Sequence, residues 1–313
     1  MKSTYDFLII GTVKGGTTTL HYLLEDHPDL SLPSGKESPL FLTDVTDREV
    51  ADHVQRHTGG KAARLAGKAT PLYMCLPDVA PRIHRAAPDT KLIALLRDPV
   101  TRASSHWRMR SRFGAEKRPL SEALGEQLAN PFKWRETGVE EDGYVADGEY
   151  GRILNEYAEY FDPSQILVLS ASELSKDPAD VVNRVCAFLG VSPHTPAALG
   201  MEFNVAERTG SRARVEKVLW RLVPHQLIAR TIGPQLQQRA GGVLDRYKIS
   251  RPAVAIDDQV DDELAERLKL HYLADAETLG ESFRRVDVWR WPGYEVSWDV
   301  TEGSVRPPTL DGG

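Results

Sequence analysis

Residues 7–20, FLIIGTVKGGTTTL, decide how this chain folds. Phe7 to Ile10 is a continuous apolar run that ends on Gly11, which reads as a strand buried on both faces. Leu20, Leu23 and Leu24 then recur at helical spacing until the chain reaches Pro28. A strand that turns through glycines directly into a helix presents backbone N–H groups and the positive end of the helix dipole at the turn. Lys14 adds a cation there, Gly15 and Gly16 permit close approach of the backbone, and Thr17 and Thr18 bring hydroxyls. The combination reads as a phosphate site. The plain alternative is a tight strand–helix turn with a solvated lysine.

Gly11 to Gly16 fits the outline G-x-x-x-x-G, yet Thr17 stands where the loop of a kinase or ATPase carries its lysine. Lys14 instead lies on the loop itself. Further along, KLIALL (residues 91–96) is a second buried strand, followed at once by Asp98 and Pro99, an N-cap and first-position pair that starts a helix over 99 to about 112. Ile153, Leu154, Tyr157 and Phe161 predict a helix, Ile166 to Leu169 a strand, and Asp177-Pro178 a capped helix running to Gly190. Leu30 to Leu32 is a short strand. Strands alternating with helices predict an α/β fold around a largely parallel sheet.

The remaining chain is less regular. Residues 113–148 are polar, Gly- and Glu-bearing and without a clean period, which predicts a long excursion of the kind that carries ligand contacts. From Val215 onward the chain reads as helical, most clearly over 262–281, and the Pro- and Gly-bearing tail after Pro292 reads as loosely held.

Composition narrows the function. The 313 residues carry 39 Lys and Arg against 45 Asp and Glu, a formal charge of −6, which excludes a strongly basic nucleic-acid binder and extended disorder. It does not exclude an anionic ligand, because a local pocket sets that affinity. Two cysteines, Cys75 and Cys186, offer neither a disulfide framework nor metal-ligand spacing and point to a reducing compartment. No run approaches the roughly 20 apolar residues of a membrane span. The expectation is a soluble, cytoplasmic protein. Among the nine histidines, His53 and His57 are spaced i, i+4 but have no accompanying carboxylate or cysteine cluster, and they read as surface residues rather than metal ligands.

Arg97 follows the strand 91–96, at the edge where parallel sheets bind ligands, and Ser105 lies in the helix beyond it. An arginine and a hydroxyl suit a phosphate monoester, although Arg97 alone also reads as a surface ion-pair residue. The Lys14 loop resembles the 5′-phosphosulfate loop of sulfotransferases that use 3′-phosphoadenosine 5′-phosphosulfate (PAPS). The stretch R-D-P-x-x-R-x-x-S, from Arg97 to Ser105, is similar to their 3′-phosphate motif at every fixed position. The two motifs occur in the family's order, and the likeness is greatest to the branch of the heparan sulfate sulfotransferases and their bacterial relatives.

That resemblance implies the sulfotransferase fold over residues 5–212, with 113–148 as an acceptor-side insertion, 213–291 as a helical part and 292–313 as a tail of one domain. It implies PAPS as donor, with Lys14, Gly15, Gly16, Thr17 and Thr18 around the phosphosulfate and Arg97 and Ser105 on the 3′-phosphate. Arg102 belongs to the same motif in a structural capacity. Glu37, in the stretch Lys36-Glu37-Ser38-Pro39-Leu40-Phe41, matches the family's catalytic glutamate, the base for an acceptor hydroxyl. Lys68, in GKATPLY, resembles a lysine near the sulfuryl group, with Gly67 in place of the family's glutamate and Ala69 as an extra residue. Arg208 and Arg212, in the stretch from Asn204 to Arg212, are the best counterpart of the basic loop that closes over the nucleotide, although the stretch lacks the family's R-K-G-x-x-G and K-G-R signatures. No metal is implied, since lysines and backbone dipoles take the place of Mg²⁺ in kinases. The acceptor is a hydroxyl of a carbohydrate, glycolipid or natural product. A P-loop phosphotransferase and a non-catalytic nucleotide- or glycan-binding protein of the same fold are the alternatives.

Overall fold

The structure is a computed structural model that describes residues 3–32, 37–58, 63–112, 114–131, 143–199, 260–280 and 283, with four short strands between 290 and 306. Five strands, β1 (Phe7–Gly11), β2 (Leu30–Ser31), β3 (Leu65–Ala69), β4 (Lys91–Leu96) and β5 (Ile166–Ser170), form one sheet in the order β2-β3-β1-β4-β5. Every pairing is parallel. The central strand β1 is buried along its whole length.

Why a continuous apolar run makes this strand follows from its two cores. Leu8 and Ile10, with Leu92, Ala94 and Leu96 of β4, point into one core. Phe7 and Ile9, with Ile93 and Leu95, point into the other. The first core is closed by α2 (Asp47–Thr58), α3 (Val79–Ala86), α6 (Tyr150–Ala158) and α9 (Asp262–Glu277), through Val54, Ile83, Leu154 and Leu273 among others. The second is closed by α1 (Thr17–Leu24), α7 (Ala171–Lys176) and α8 (Pro178–Leu189), through Leu20, Leu174 and Val185. Between β3 and β1, Phe7 lies opposite Gly67, and a Cβ on Gly67 would fall 2.0 Å from the Phe7 ring. The ring needs that space, which accounts for glycine at this position.

The helix boundaries follow the capping signals. In α4 (Pro99–Arg112) the Asp98 carboxylate accepts from Thr101 N–H at 2.6 Å. Asp177 does the same for Asp180 at 3.0 Å at the start of α8, which ends at Gly190 with φ 73°.

Two regions differ from the sequence reading. The excursion at 113–148 contains a helix, α5 (Leu120–Ala129), whose Leu120, Ala123, Leu124 and Gln127 face inward. It packs with Trp107, Tyr144 and Tyr272 in a third apolar cluster. The period was obscured because a glutamine occupies one inward position, where its Oε1 accepts from Val145 N–H at 2.9 Å. Arg290–Trp291, in the part read as helical, is instead a strand that pairs with Tyr294–Glu295 in the region read as a tail, where Asp299–Thr301 also pairs with Ser304–Arg306. Residue 262 does open a helix, α9, with Asp261 as its cap, whereas residues 215–259 lie outside the described residues. Among the described residues no helix is long and apolar enough to cross a membrane.

Candidate active site

A parallel sheet sends the carboxyl ends of all its strands to one edge, and that edge collects the charged candidates. The loop after β1 is pressed onto β4. Thr12 N–H donates to Leu95 O at 2.9 Å, and a Cβ on Gly15 would come within 2.3 Å of that same oxygen. Gly16, at φ 96°, is the N-cap of α1, and no side chain caps the helix. Lys14 itself has φ 67°, a left-handed conformation uncommon for a residue with a Cβ. A glycine turn, an N-terminus uncapped by side chains and a lysine in one loop form a cradle of the kind that attracts an anion.

Lys14 and Arg97 are brought together by the fold. The Arg97 guanidinium reaches Lys14 O at 3.5 Å, and its Nε donates to Thr101 Oγ1 at 3.2 Å. Lys14 Nζ contacts Met109 Sδ at 4.0 Å. Thr101, Ser105 and Met109 are spaced i, i+4, i+8 on α4 and therefore share one face. Ser105, half-buried, sits in that row between the residue touching Arg97 and the residue touching Lys14. The end of β4 is anchored in turn by Tyr150, whose hydroxyl donates to Arg97 O at 2.8 Å.

On the other side of β1, the chain after β2 carries Glu37, exposed, and β3 carries Lys68, which is 1% exposed. Lys68 is thus no solvated lysine. Burial pushes its pKa down from 10.5 to about 8, with the Glu37 carboxylate pulling the other way. Ser38, next to Glu37, is held from several sides. Its N–H donates to Thr70 Oγ1 at 3.1 Å, its carbonyl accepts from Tyr73 Oη at 2.8 Å, and its Oγ bonds His53 Nε2 at 2.9 Å. His53 and His57 are therefore not surface residues. They are half-buried and stacked, with centroids 4.0 Å apart, because α2 turns its Val50–Val54 face to the core beside them. Their i, i+4 spacing beside buried valines was the available signal.

The depressed lysine gives a prediction. Because the folded chain releases this proton more readily than the unfolded chain, the burial penalty is fully present below about pH 8 and fades as pH rises toward 10.5. Lys68→Met is expected to stabilise the protein by about 3 kcal/mol at pH 7 and by much less at pH 10. Urea denaturation at the two pH values checks this.

Arg102 has the structural part expected of it. Fully buried, it donates to the carbonyls of Tyr144 and of Gly143, the latter at 3.4 Å, and lies 3.8 Å from Asp147 Oδ2. His106 Nδ1 lies 3.6 Å from the same carboxylate oxygen. Burial raises Asp147 to about 6 against the pull of Arg102, and burial pushes the Cys75 thiol up to about 12. The Cys75 sulfur lies 4.0 Å from Thr12 Oγ1, so this cluster backs the glycine loop. Arg208 and Arg212 lie outside the described residues.

Two cavities lie away from this edge. A cavity of about 680 Å³ lies between α6 and α9, lined by Arg152, Glu156, His271 and Asp275 among others, and another of about 300 Å³ lies near Tyr5, Thr90 and Lys91. Neither is lined by Lys14, Glu37, Lys68, Arg97 or Ser105. The convergence of charge at the strand ends is the better guide.

Residues 4–203 match the family described as "Sulfotransferase domain". The chain is 33% identical over 187 residues to mouse heparan sulfate glucosamine 3-O-sulfotransferase 6, which covers 59% of this chain and 52% of that protein. It is 39% identical over 104 residues to the membrane-associated sulfotransferase kil1 of Dictyostelium discoideum, covering 33% of this chain and 22% of that one. The chain thus spans about half, or less, of the length of these relatives. A sulfotransferase from Alicyclobacillus acidocaldarius has a crystal structure that superposes with a TM-score of 0.54 at 28% identity, over 69% of this chain and 89% of that one. Since the matched segment takes in all five strands of the parallel sheet and every described candidate at its carboxyl edge, the chain belongs to the sulfotransferase family.

Proposed function

We propose that the protein transfers a sulfuryl group from PAPS to an acceptor hydroxyl, with Glu37 as the base. The carrying observation is the junction of Lys14 and Arg97, from loops 83 residues apart, around one face of α4. One anionic group then meets Lys14, Gly15, Gly16, Thr17 and Thr18 at the start of α1, and a second meets Arg97 and Ser105. A ligand with phosphates at both its 5′ and 3′ positions suits two such grips.

PAPS supplies the activated sulfuryl group. Lys14 and the backbone N–H groups at the start of α1 bind the negative charge at the transfer end, already oriented before reaction. Arg97 and Ser105 hold the 3′-phosphate and so fix the nucleotide along the sheet edge. A Glu37 carboxylate oxygen accepts the proton of the acceptor hydroxyl, and Lys68 sets a positive charge beside it. The acceptor, a hydroxyl of a carbohydrate, glycolipid or natural product, would be positioned by the segment 113–148. Arg208 and Arg212 complete the nucleotide site by family resemblance.

Thermal stability with 3′-phosphoadenosine 5′-phosphate (PAP), AMP, or ATP with Mg²⁺ tests this reading. At 100 times its dissociation constant, PAP should add about 2.7 kcal/mol of stability, without metal, and AMP should add much less. Lys14→Ala and Arg97→Ala should each remove most of the PAP effect. Stabilisation by ATP with Mg²⁺ only would establish the phosphotransferase alternative, and no response to PAP would overturn the donor assignment.

A further inference from the structure

The half-buried histidine of α2 lies outside the reaction as described, yet it is bonded to the residue that follows Glu37. We propose that His53 is a positioning residue, which holds Glu37 against Lys68 through its hydrogen bond to Ser38. The inference rests on Glu37 as the base of the proposed reaction.

Glu37 is exposed and follows a two-residue strand, and the residue beside it anchors the backbone on which it is carried. The neighbouring Ser38 is 3% exposed and tied to three elements. Thr70 and Tyr73, at the end of β3 and in the turn after it, bind its backbone, and His53 binds its side chain from a distant helix. The far side of the His53 ring is fixed as well, since Nδ1 bonds Tyr5 Oη at 2.9 Å just ahead of β1. The tautomer sets the directions of the two ring bonds: with the proton on Nδ1, His53 donates to Tyr5 Oη and accepts from Ser38 Oγ, and with it on Nε2 both bonds reverse, while Ser38 Oγ accepts from Leu40 N–H at 3.2 Å in either case. A neutral imidazole, with one donor and one acceptor, is the species that does this.

The surroundings keep the ring in that form. Burial, then His57, Lys68 and Arg56, hold His53 down to about 3. His57 is depressed too, by burial and by the charges of Lys68 and Arg56, against its bond to His53 O at 2.8 Å. The ring is in contact with Tyr5, Ser38 and His57 and feels the charges of Arg56 and Lys68, and Lys68 is the cation whose charge the Glu37 carboxylate supports. Because the Glu37 charge raises the Lys68 pKa, the titration of Lys68 reports how well Glu37 is held in place.

The test uses the full chain labelled with ¹³C at lysine Cε and followed by NMR titration, with the Lys68 signal assigned from Lys68→Met. His53→Asn, whose amide reaches only the place of Nδ1, and Ser38→Ala should each lower the Lys68 midpoint by about 1 pH unit. Glu37→Gln should lower it similarly, and adding His53→Asn to Glu37→Gln should change nothing further. His53→Gln, whose amide reaches the place of Nε2, should restore a midpoint near that of the unaltered protein. An unchanged midpoint in His53→Asn, or an equal shift with and without Glu37, overturns the proposal. Turnover of Glu37→Gln tests the base separately, so the two readings fail independently.

Discussion

Glu37→Gln is expected to lower turnover by about 100- to 10,000-fold while PAP still stabilises the protein as it does the unaltered chain. The separation follows from the sheet order. Glu37 follows β2 at one side of β1, whereas Arg97 and the α4 row follow β4 at the other. The substituted amide would keep the size of the side chain and its neighbours but could not take a proton from a hydroxyl. Transfer of label from PAPS to a panel of hydroxyl acceptors measures turnover, and a PAP titration of the melting temperature measures binding. Near-normal turnover would refute the base assignment and leave the donor site standing. Loss of PAP binding would mean instead that the glutamate shapes the nucleotide site.

Arg102→Met is expected to cost about 3–5 kcal/mol of stability. The guanidinium is fully buried, compensates the Asp147 carboxylate, and donates to the carbonyls of Gly143 and Tyr144. Removing it leaves a buried carboxylate without its cation and the Tyr144 carbonyl without this donor, while Gly143 O keeps Asp147 N–H at 3.1 Å. In the unaltered protein burial already raises Asp147 from 3.8 to about 6, so its contribution to stability declines as pH rises through that interval and the cost is complete above it. Without Arg102 the folded-state value climbs further, and the window in which acid relieves the penalty extends upward. Urea denaturation of Arg102→Met should therefore show greater stability at pH 5 than at pH 8. The double variant Arg102→Met/Asp147→Leu should recover most of the loss, since replacing both members of a buried pair by apolar groups is close to neutral. No recovery in the double variant would place the damage in packing rather than in charge.

The signals that could be read along the chain are those whose physics is complete within a few residues. The run FLIIG needs burial on both sides whatever covers it, and the glycines after it can turn where other residues cannot. Asp98 and Asp177 cap the helices that follow them with hydrogen bonds reaching three residues. The candidates around Lys14, Arg97 and Ser105 were legible for the same reason, each being tied to a strand end or a helix row. The helix α5 was missed because its inward face includes Gln127, whose hydrogen-bond partner Val145 lies 18 residues away.

The sequence by itself determined the parallel α/β scheme, the glycine loop and the edge at which the charges gather, because the alternation of strands with helices and their capping follow from local pattern, whereas the strand order and the strand at 65–69 came from the fold. Only the tertiary structure decided that Lys68 is buried, that His53 and Tyr5 brace the residue beside Glu37, and that Arg102 meets Asp147. A lysine, a histidine or an arginine reads as a surface group until the fold removes its water. Its charge state and its task are then set by partners that the chain brings from tens of residues away.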